Sequence, residues 1–195
     1  MIALLSGKII SKDERQVVVD VNGVGYRVFT PTSTLEALPK IGEGIILFTY
    51  LAVREDALDL YGFLTKREEE FFGLLITVSG IGPKSALNVL SSASVDQLEE
   101  AIISGSDDVL NRVAGIGKKT SGRIVLELKT KIKRIAKEFG VAGVVEGIEV
   151  LDALSALGFS IKEAREAVQN LPPDTEGVGD KVKEALKLLS KPTRK

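Results

Sequence analysis

Apolar residues in the first 63 positions occur in short runs rich in β-branched and aromatic side chains, with Gly, Asn and Pro between them. Ile2 to Ile10, Gln16 to Asn22, Tyr26 to Thr30, Ile45 to Val53 and Leu58 to Phe63 therefore read as strands. Asn22-Gly23-Val24-Gly25 suits a hairpin or bulge, and a brief helical turn is expected near Ser33 to Leu38. Arg54-Glu55-Asp56 falls between the last two strands, where charged residues at a loop tip are ordinarily just solvated.

After Phe63 the apolar spacing changes to three and four. Thr65-x-x-Glu68 is a capping box ahead of Phe71, Phe72, Leu75 and Val78, which share one helix face. Ser94-x-x-Gln97 opens another helix that carries Leu98, Ala101 and Ile102 and ends at Gly105. Ser106 can cap a short helix through Val113, and a long amphipathic helix with Ile124, Leu128, Ile132 and Ile135 at its apolar positions reaches about Phe139. Gly140 to Gly147 is small and glycine-rich and reads as a flexible linker. Beyond it, Ile148 to Leu157, a helix capped by Ser160-x-x-Glu163 that reaches Leu171, and Val178 to Leu189 form a compact helical set, with Pro172-Pro173 as a break and a frayed tail from Lys191.

Two pentapeptides stand out from this pattern. Gly80-Ile81-Gly82-Pro83-Lys84 and Gly115-Ile116-Gly117-Lys118-Lys119 repeat Gly-Ile-Gly-x-Lys thirty-five positions apart, each between two helical segments. Glycine permits the φ > 0 conformations of a tight turn and has no side chain to hold a phosphate away. A helix that starts at the second glycine points unpaired N–H groups and the positive end of its dipole outward. Lys84 and Lys119 add a full charge beside those amides. Pro83 sits well at the first helical position but leaves its turn one amide fewer, so the second turn is expected to carry more of any phosphate contact.

Composition narrows the chemistry. The chain has 195 residues, enough for more than one core, with ordinary globular content at 44% hydrophobic and 27% charged. It has neither Cys nor His, which excludes disulfides, Cys/His zinc sites and Cys or Ser-His nucleophiles. No catalytic residue, metal site or cofactor is expected. With no signal peptide or membrane-length apolar run, the expected location is cytoplasmic, with no membrane partner. A formal net charge of −1 alone argues against a polyanion partner. Locally the balance reverses, since Gly115 to Lys137 holds eight basic residues, Arg123 among them, against the single acid Glu127.

Val78 to Ala86 and Val113 to Ser121 resemble tandem helix-hairpin-helix motifs, a class that grips DNA backbones without reading bases. With Gly23 to Tyr26, Arg54 to Ala57 and Leu60-Tyr61-Gly62-Phe63 added, the whole chain is similar to the RuvA family, which binds Holliday junctions in the bacterial branch-migration complex. Pattern alone allows an OB-type or an SH3-like barrel. The resemblance implies a multidomain α+β chain: an OB-type β-barrel over residues 1–63, an all-α tandem helix-hairpin-helix domain over 64–139, the linker over 140–147, and a three-helix docking domain over 148–195.

The resemblance further implies a homotetramer, octameric when two stack face to face, holding four-way junction DNA open and nearly planar. Gly80, Gly82, Lys84, Gly115, Gly117, Lys118, Lys119 and Arg123 would grip phosphates. Glu55 and Asp56 resemble the family's acidic pin, which repels phosphates at the four-fold centre. A RuvB-type ATPase motor would dock on an apolar face for which Leu151, Leu154, Leu157 and Phe159 are candidates, and a RuvC-type resolvase would act on the same junction. The chain itself departs from a nucleotide-binding P-loop, because Arg112 stands at its first glycine and Lys119 at its Ser or Thr. Two rival readings are a DNA glycosylase and a protein-interaction scaffold. The first lacks an Asp anywhere between Asp108 and Asp152, and the second leaves the twin hairpins unexplained.

Overall fold

The computed structural model describes residues 1–138, 142–172 and 175–190. Five strands, β1 (Leu4–Lys12), β2 (Gln16–Val21), β3 (Val24–Phe29), β4 (Gly44–Val53) and β5 (Leu58–Phe63), and a short helix α1 (Thr32–Ala37) make up the N-terminal barrel. The strand order is β1-β2-β3-β5-β4, with β1 paired to β4 to close it. All neighbours are antiparallel except β3 and β5, which run parallel. This order favours the OB-type barrel over the SH3-like one. Strand alternation sends Val17 and Val19 of β2, Ile45 and Leu47 of β4, and Leu5 and Ile9 of β1 into one core. Asn22 at φ 53 and Gly23 at φ 87 make the two-residue turn between β2 and β3, so the hairpin reading applies there.

Helix α2 (Lys66–Ile76) begins at the expected Thr65–Glu68 capping box. Its Phe72 is fully buried, with ring centroids 5.0 Å from Phe63, 5.1 Å from Tyr61 and 5.4 Å from Tyr50. One aromatic side chain thus fastens the helix to the barrel, and truncating such a residue typically costs about 3–5 kcal/mol. Helices α3 (Pro83–Ser92), α4 (Val95–Ser104), α5 (Asp108–Asn111) and α6 (Lys118–Glu138) follow. Ser94 and Gln97 exchange hydrogen bonds as a capping box for α4, and Gly105 ends that helix at φ 74. The short helix starts two residues later than Ser106, directly after Asp107.

The C-terminal helices are α7 (Ala142–Ala156), α8 (Ile161–Gln169) and α9 (Val178–Ser190). They pack Val150, Leu154, Ala164, Ala167 and Ala185 into a small core of their own. Helix α7 corrects the linker expectation, because it begins at Ala142 and runs through Gly147. Gly147, in the helix interior, costs about 1 kcal/mol relative to Ala, and Gly143, in the first turn, costs less. Burial of Ile148, Val150 and Leu154, worth about 1.5–3 kcal/mol apiece, and the 2.5 Å ion pair of Glu146 with Lys181 outweigh them. Residues 140 and 141 of the expected linker, Phe139, Pro173 and the tail from Lys191 lie outside the described residues.

The chain divides into two compact units, Met1–Leu98 with Asp108–Ser121, and Glu99–Asp107 with the chain from Gly122 onward. This division differs from the boundaries expected from sequence, since it passes through α4 and α6. Among the described residues no helix is long and apolar enough to cross a membrane.

Candidate nucleic-acid interface

Both glycine turns lie in the first unit, and they are built alike residue for residue. In the first, the amide of Val78 donates to the Leu75 carbonyl at 3.0 Å and that of Ile81 to the Val78 carbonyl at 3.0 Å. In the second, Val113 donates to Leu110 at 3.1 Å and Ile116 to Val113 at 3.1 Å. Val78, Ile81, Val113 and Ile116 are buried, so each turn is pinned from below by two aliphatic side chains. The exposed residues of the turns are the seven expected from the sequence, Gly80, Gly82, Lys84, Gly115, Gly117, Lys118 and Lys119.

The paired glycines divide their labour. Gly80 and Gly115 adopt φ 88 and φ 85, the left-handed region that L side chains rarely enter. Gly82 sits at φ −92 and ψ 172, and Gly117 is likewise absent from the positive-φ set. A Cβ built on Gly82 or Gly117 meets nothing within 4 Å. The two reasons for glycine thus fall on different residues: the first of each pair is required by the backbone, whereas the second lies outside the left-handed region and leaves open space where a side chain would stand.

Helix α3 starts at Pro83 with Gly82 as its N-cap, and no side chain caps it. Helix α6 starts at Lys118, and the Gly117 carbonyl accepts from the amides of Thr120 at 2.8 Å and Ser121 at 2.9 Å. The first amides of a helix lack an i−4 acceptor; Pro83 carries no N–H and the Thr120 amide is taken by the Gly117 carbonyl, which leaves the amides of Lys84 and Ser85 in α3 and of Lys118 and Lys119 in α6. A side-chain bond that the sequence did not advertise ties the two turns together: Asn88 Nδ2 of α3 donates to the Ala114 carbonyl at 3.2 Å. Its only signal was a polar residue among the apolar positions of that helix. In the second hairpin the buried Ser121 hydroxyl lies 2.6 Å from Asn111 Oδ1 and 2.9 Å from the Lys118 carbonyl.

Arg123, one helical turn beyond Lys119 on α6, is exposed and belongs to the second unit. The basic run of α6 is less free than its composition suggested. Lys129 is mostly buried and forms a 2.6 Å ion pair with Asp152 of α7. In the same unit Arg165 pairs with Glu100 at 3.1 Å and also reaches Ser104.

Glu55 and Asp56 stand at the exposed tip of the β4–β5 loop, closed by a hydrogen bond from the Arg54 amide to the Ala57 carbonyl at 2.9 Å. Of the expected docking residues, Leu157 is 59% exposed, Leu151 and Phe159 pack partly onto the α7–α9 core, and Leu154 has no exposed surface. Leu154 therefore supports the module from inside and cannot present an outward face.

Three family models match the chain: RuvA N terminal domain over residues 1–62, SAM-like Helix-hairpin-helix tandem over 72–130, and RuvA, C-terminal domain over 149–190. Curated relatives match along almost the whole length. The subunit from Aromatoleum aromaticum is 45% identical, with 98% of this chain and 100% of the relative covered. That from Chromobacterium violaceum is 47% identical at the same coverage, and that from Clostridium perfringens is 42% identical over 92% of this chain and 94% of the relative. Each of these relatives is named Holliday junction branch migration complex subunit RuvA.

Proposed function

This chain belongs to the RuvA family, and from that premise we propose that it binds four-way DNA junctions through sequence-independent phosphate contacts and presents them to a separate ATPase motor. The observation that carries this reading is the pair of matching glycine turns in one unit, each offering helix N-terminal amides and an exposed lysine. Amides and lysines address phosphate oxygens, which every sequence displays alike, so they position a duplex without reading it. The chain supplies binding rather than catalysis.

The grip is formed by Gly80, Gly82, Lys84, Gly115, Gly117, Lys118 and Lys119, with Arg123 alongside on α6. The second turn carries the larger share, since Lys118 offers both an amide and a charge at the position where Pro83 offers neither. A single grip of this kind would hold any duplex. Preference for a junction arises when four subunits repeat it about a four-fold axis and bring their Glu55 and Asp56 tips to the centre, where carboxylates repel phosphates. Residues 1–63 supply the barrel, 64–139 the grip and the C-terminal helices a docking module, with Leu157 its exposed apolar residue. A RuvB-type motor on that module and a RuvC-type resolvase at the junction complete the set of partners.

The test is competitive binding of a four-way junction and a linear duplex of the same sequence, with light scattering of the free and bound protein. Much tighter binding to the junction, falling steeply with salt, and a tetramer or octamer in the bound state are expected. Equal affinity for both DNAs, or a bound monomer, would overturn the reading.

A further inference from the structure

A cleft of about 590 Å³ lies within the first unit, between the barrel and the N-terminal end of α3. Arg15 of the β1–β2 loop, Arg54 at the base of the acidic loop and Lys84 of the first hairpin all line it, against one carboxylate, Asp59. These cations come from segments far apart in sequence, so no local motif announces them. Asp59 is already engaged: Arg54 Nη2 lies 2.5 Å from its Oδ2. The Tyr61 phenol lines the same cleft. Burial first, and then the charge of Asp59, hold that phenol above its usual pKa, so it keeps its proton and remains a donor.

The lining is therefore cationic, and Arg15 and Lys84 have no side-chain partner among the described residues. A second feature points the same way. Thr30 lines the cleft and is 3% exposed, yet its Oγ1 has no hydrogen-bond partner among the described residues. A buried hydroxyl left unpaired is unfavourable, and one set beside three cations is matched in chemistry to an anionic oxygen. The walls are also fixed in place. The Thr30 amide donates to the Arg15 carbonyl at 3.2 Å, which holds the β1–β2 loop, and the Thr32 amide donates to Ser91 Oγ at 2.9 Å, which holds α3 against the barrel.

We propose that this cleft is a third phosphate site, which takes a backbone phosphodiester of the DNA strand passing from the first hairpin toward the acidic loop, with Arg15, Arg54 and the Thr30 hydroxyl as its ligands. It rests on the junction-binding reading and extends it. Lys84 and Gly82 border both sites, so the strand leaving the hairpin enters the cleft directly. The site gives the barrel a direct hold on DNA, beside the loop whose carboxylates repel it.

The experiment scans a four-way junction with single neutral methylphosphonates and measures affinity for the wild-type chain, Arg15→Gln, Arg15→Lys and Thr30→Val. One position is expected at which neutralisation weakens the wild type but no longer matters in Arg15→Gln. It should differ from any position coupled to Lys119, and Arg15→Lys should restore much of it. The salt slope of log K in Arg15→Gln should fall by about 0.9 for each phosphate contact removed. Thr30→Val should keep the melting temperature, because no intramolecular bond is lost, and weaken the same position. Full phosphate sensitivity and an unchanged slope in Arg15→Gln would overturn the site even if junction preference stands. Loss of junction preference in the wild type would instead refute the underlying reading. Binding of a free nucleoside monophosphate that Arg15→Gln abolishes, without coupling to any junction phosphate, would overturn the strand assignment in favour of a small-molecule pocket.

Discussion

Replacing the two glycines of one hairpin separately by alanine separates folding from binding. Gly80 and Gly82 have equally empty surroundings, with nothing within 4 Å of a built Cβ, and differ in backbone conformation, φ 88 against φ −92. Gly80→Ala forces an L residue into the left-handed region, which costs about 1–2 kcal/mol. Gly82→Ala incurs no such strain. It restricts the unfolded chain, worth about 0.4–1 kcal/mol in favour of folding, and replaces an acceptable N-cap by a poor one, worth about 0.5–1 kcal/mol against it. The two terms nearly cancel, so Gly82→Ala should unfold at close to the wild-type urea midpoint while Gly80→Ala unfolds earlier.

Junction affinity should rank the two differently. A methyl group at Gly82 stands between the α3 amides and a phosphate, and each charge-assisted hydrogen bond lost is worth about 1.5–3 kcal/mol. That corresponds to roughly tenfold to a hundredfold weaker binding for each contact affected. Urea unfolding and fluorescence anisotropy on one labelled junction at fixed salt read both quantities. Gly82→Ala with wild-type affinity, or with a loss of stability matching Gly80→Ala, would refute the division of labour between the glycines.

Lys84→Ala and Lys119→Ala should weaken binding to all sequences alike and lower the salt slope of log K by about 0.9 per phosphate contact removed, as read by anisotropy at several salt concentrations. Neutralising the loop tip with Glu55→Gln and Asp56→Asn should leave or raise affinity for linear duplex and alter strand movement at a junction in a branch-migration assay with the motor present; loss of folding or assembly would make the tip structural instead. Glu163 accepts from the Ser160 hydroxyl at 2.6 Å and, second, from the Ser160 amide at 2.9 Å, which hold its carboxyl below the ordinary 4.5. A depressed folded pKa contributes stability above pH 4.5 that is lost as pH falls through the lowered value, so the urea midpoint of the wild type should drop in that window by more than that of Glu163→Gln.

Elements whose cause is local were legible in the sequence. The Thr65–Glu68, Ser94–Gln97 and Ser160–Glu163 capping boxes, Pro83 at a helix start, and the Asn22-Gly23 turn all act within a few residues, and each appears where its chemistry requires. What escaped depends on contacts between distant segments. Gly143 and Gly147 made 140–147 look like linker because the burial of Ile148 and Val150 is invisible in a local window. Leu154 and Leu157 share an apolar character and a helix, and only packing against α8 and α9 sets the first inside and leaves the second out. The two glycines of each turn look alike as letters, and their separate roles emerge only from φ. Arg15 carried no signal at all, since the cleft that gathers it with Lys84 is a product of barrel closure and helix docking.

The loop from Arg54 to Asp59 shows how pairing across a short distance can change what a charge cluster does. Read along the chain, Arg54 adjoins Glu55 and Asp56 and should cancel part of their charge. In the structure, the guanidinium instead meets Asp59, 2.5 Å away on β5. The pair is exposed on the arginine side, and such surface pairs are worth only about 0–1 kcal/mol, so its importance lies in direction rather than strength. It draws the cation back from the tip toward the cleft and leaves both tip carboxylates uncompensated by their neighbour. The loop is thereby split into a repelling end and an attracting base. On the proposed reading, a strand held by its phosphate at the base of the loop would be kept off the tip, which is the arrangement needed to lead strands apart at a junction centre.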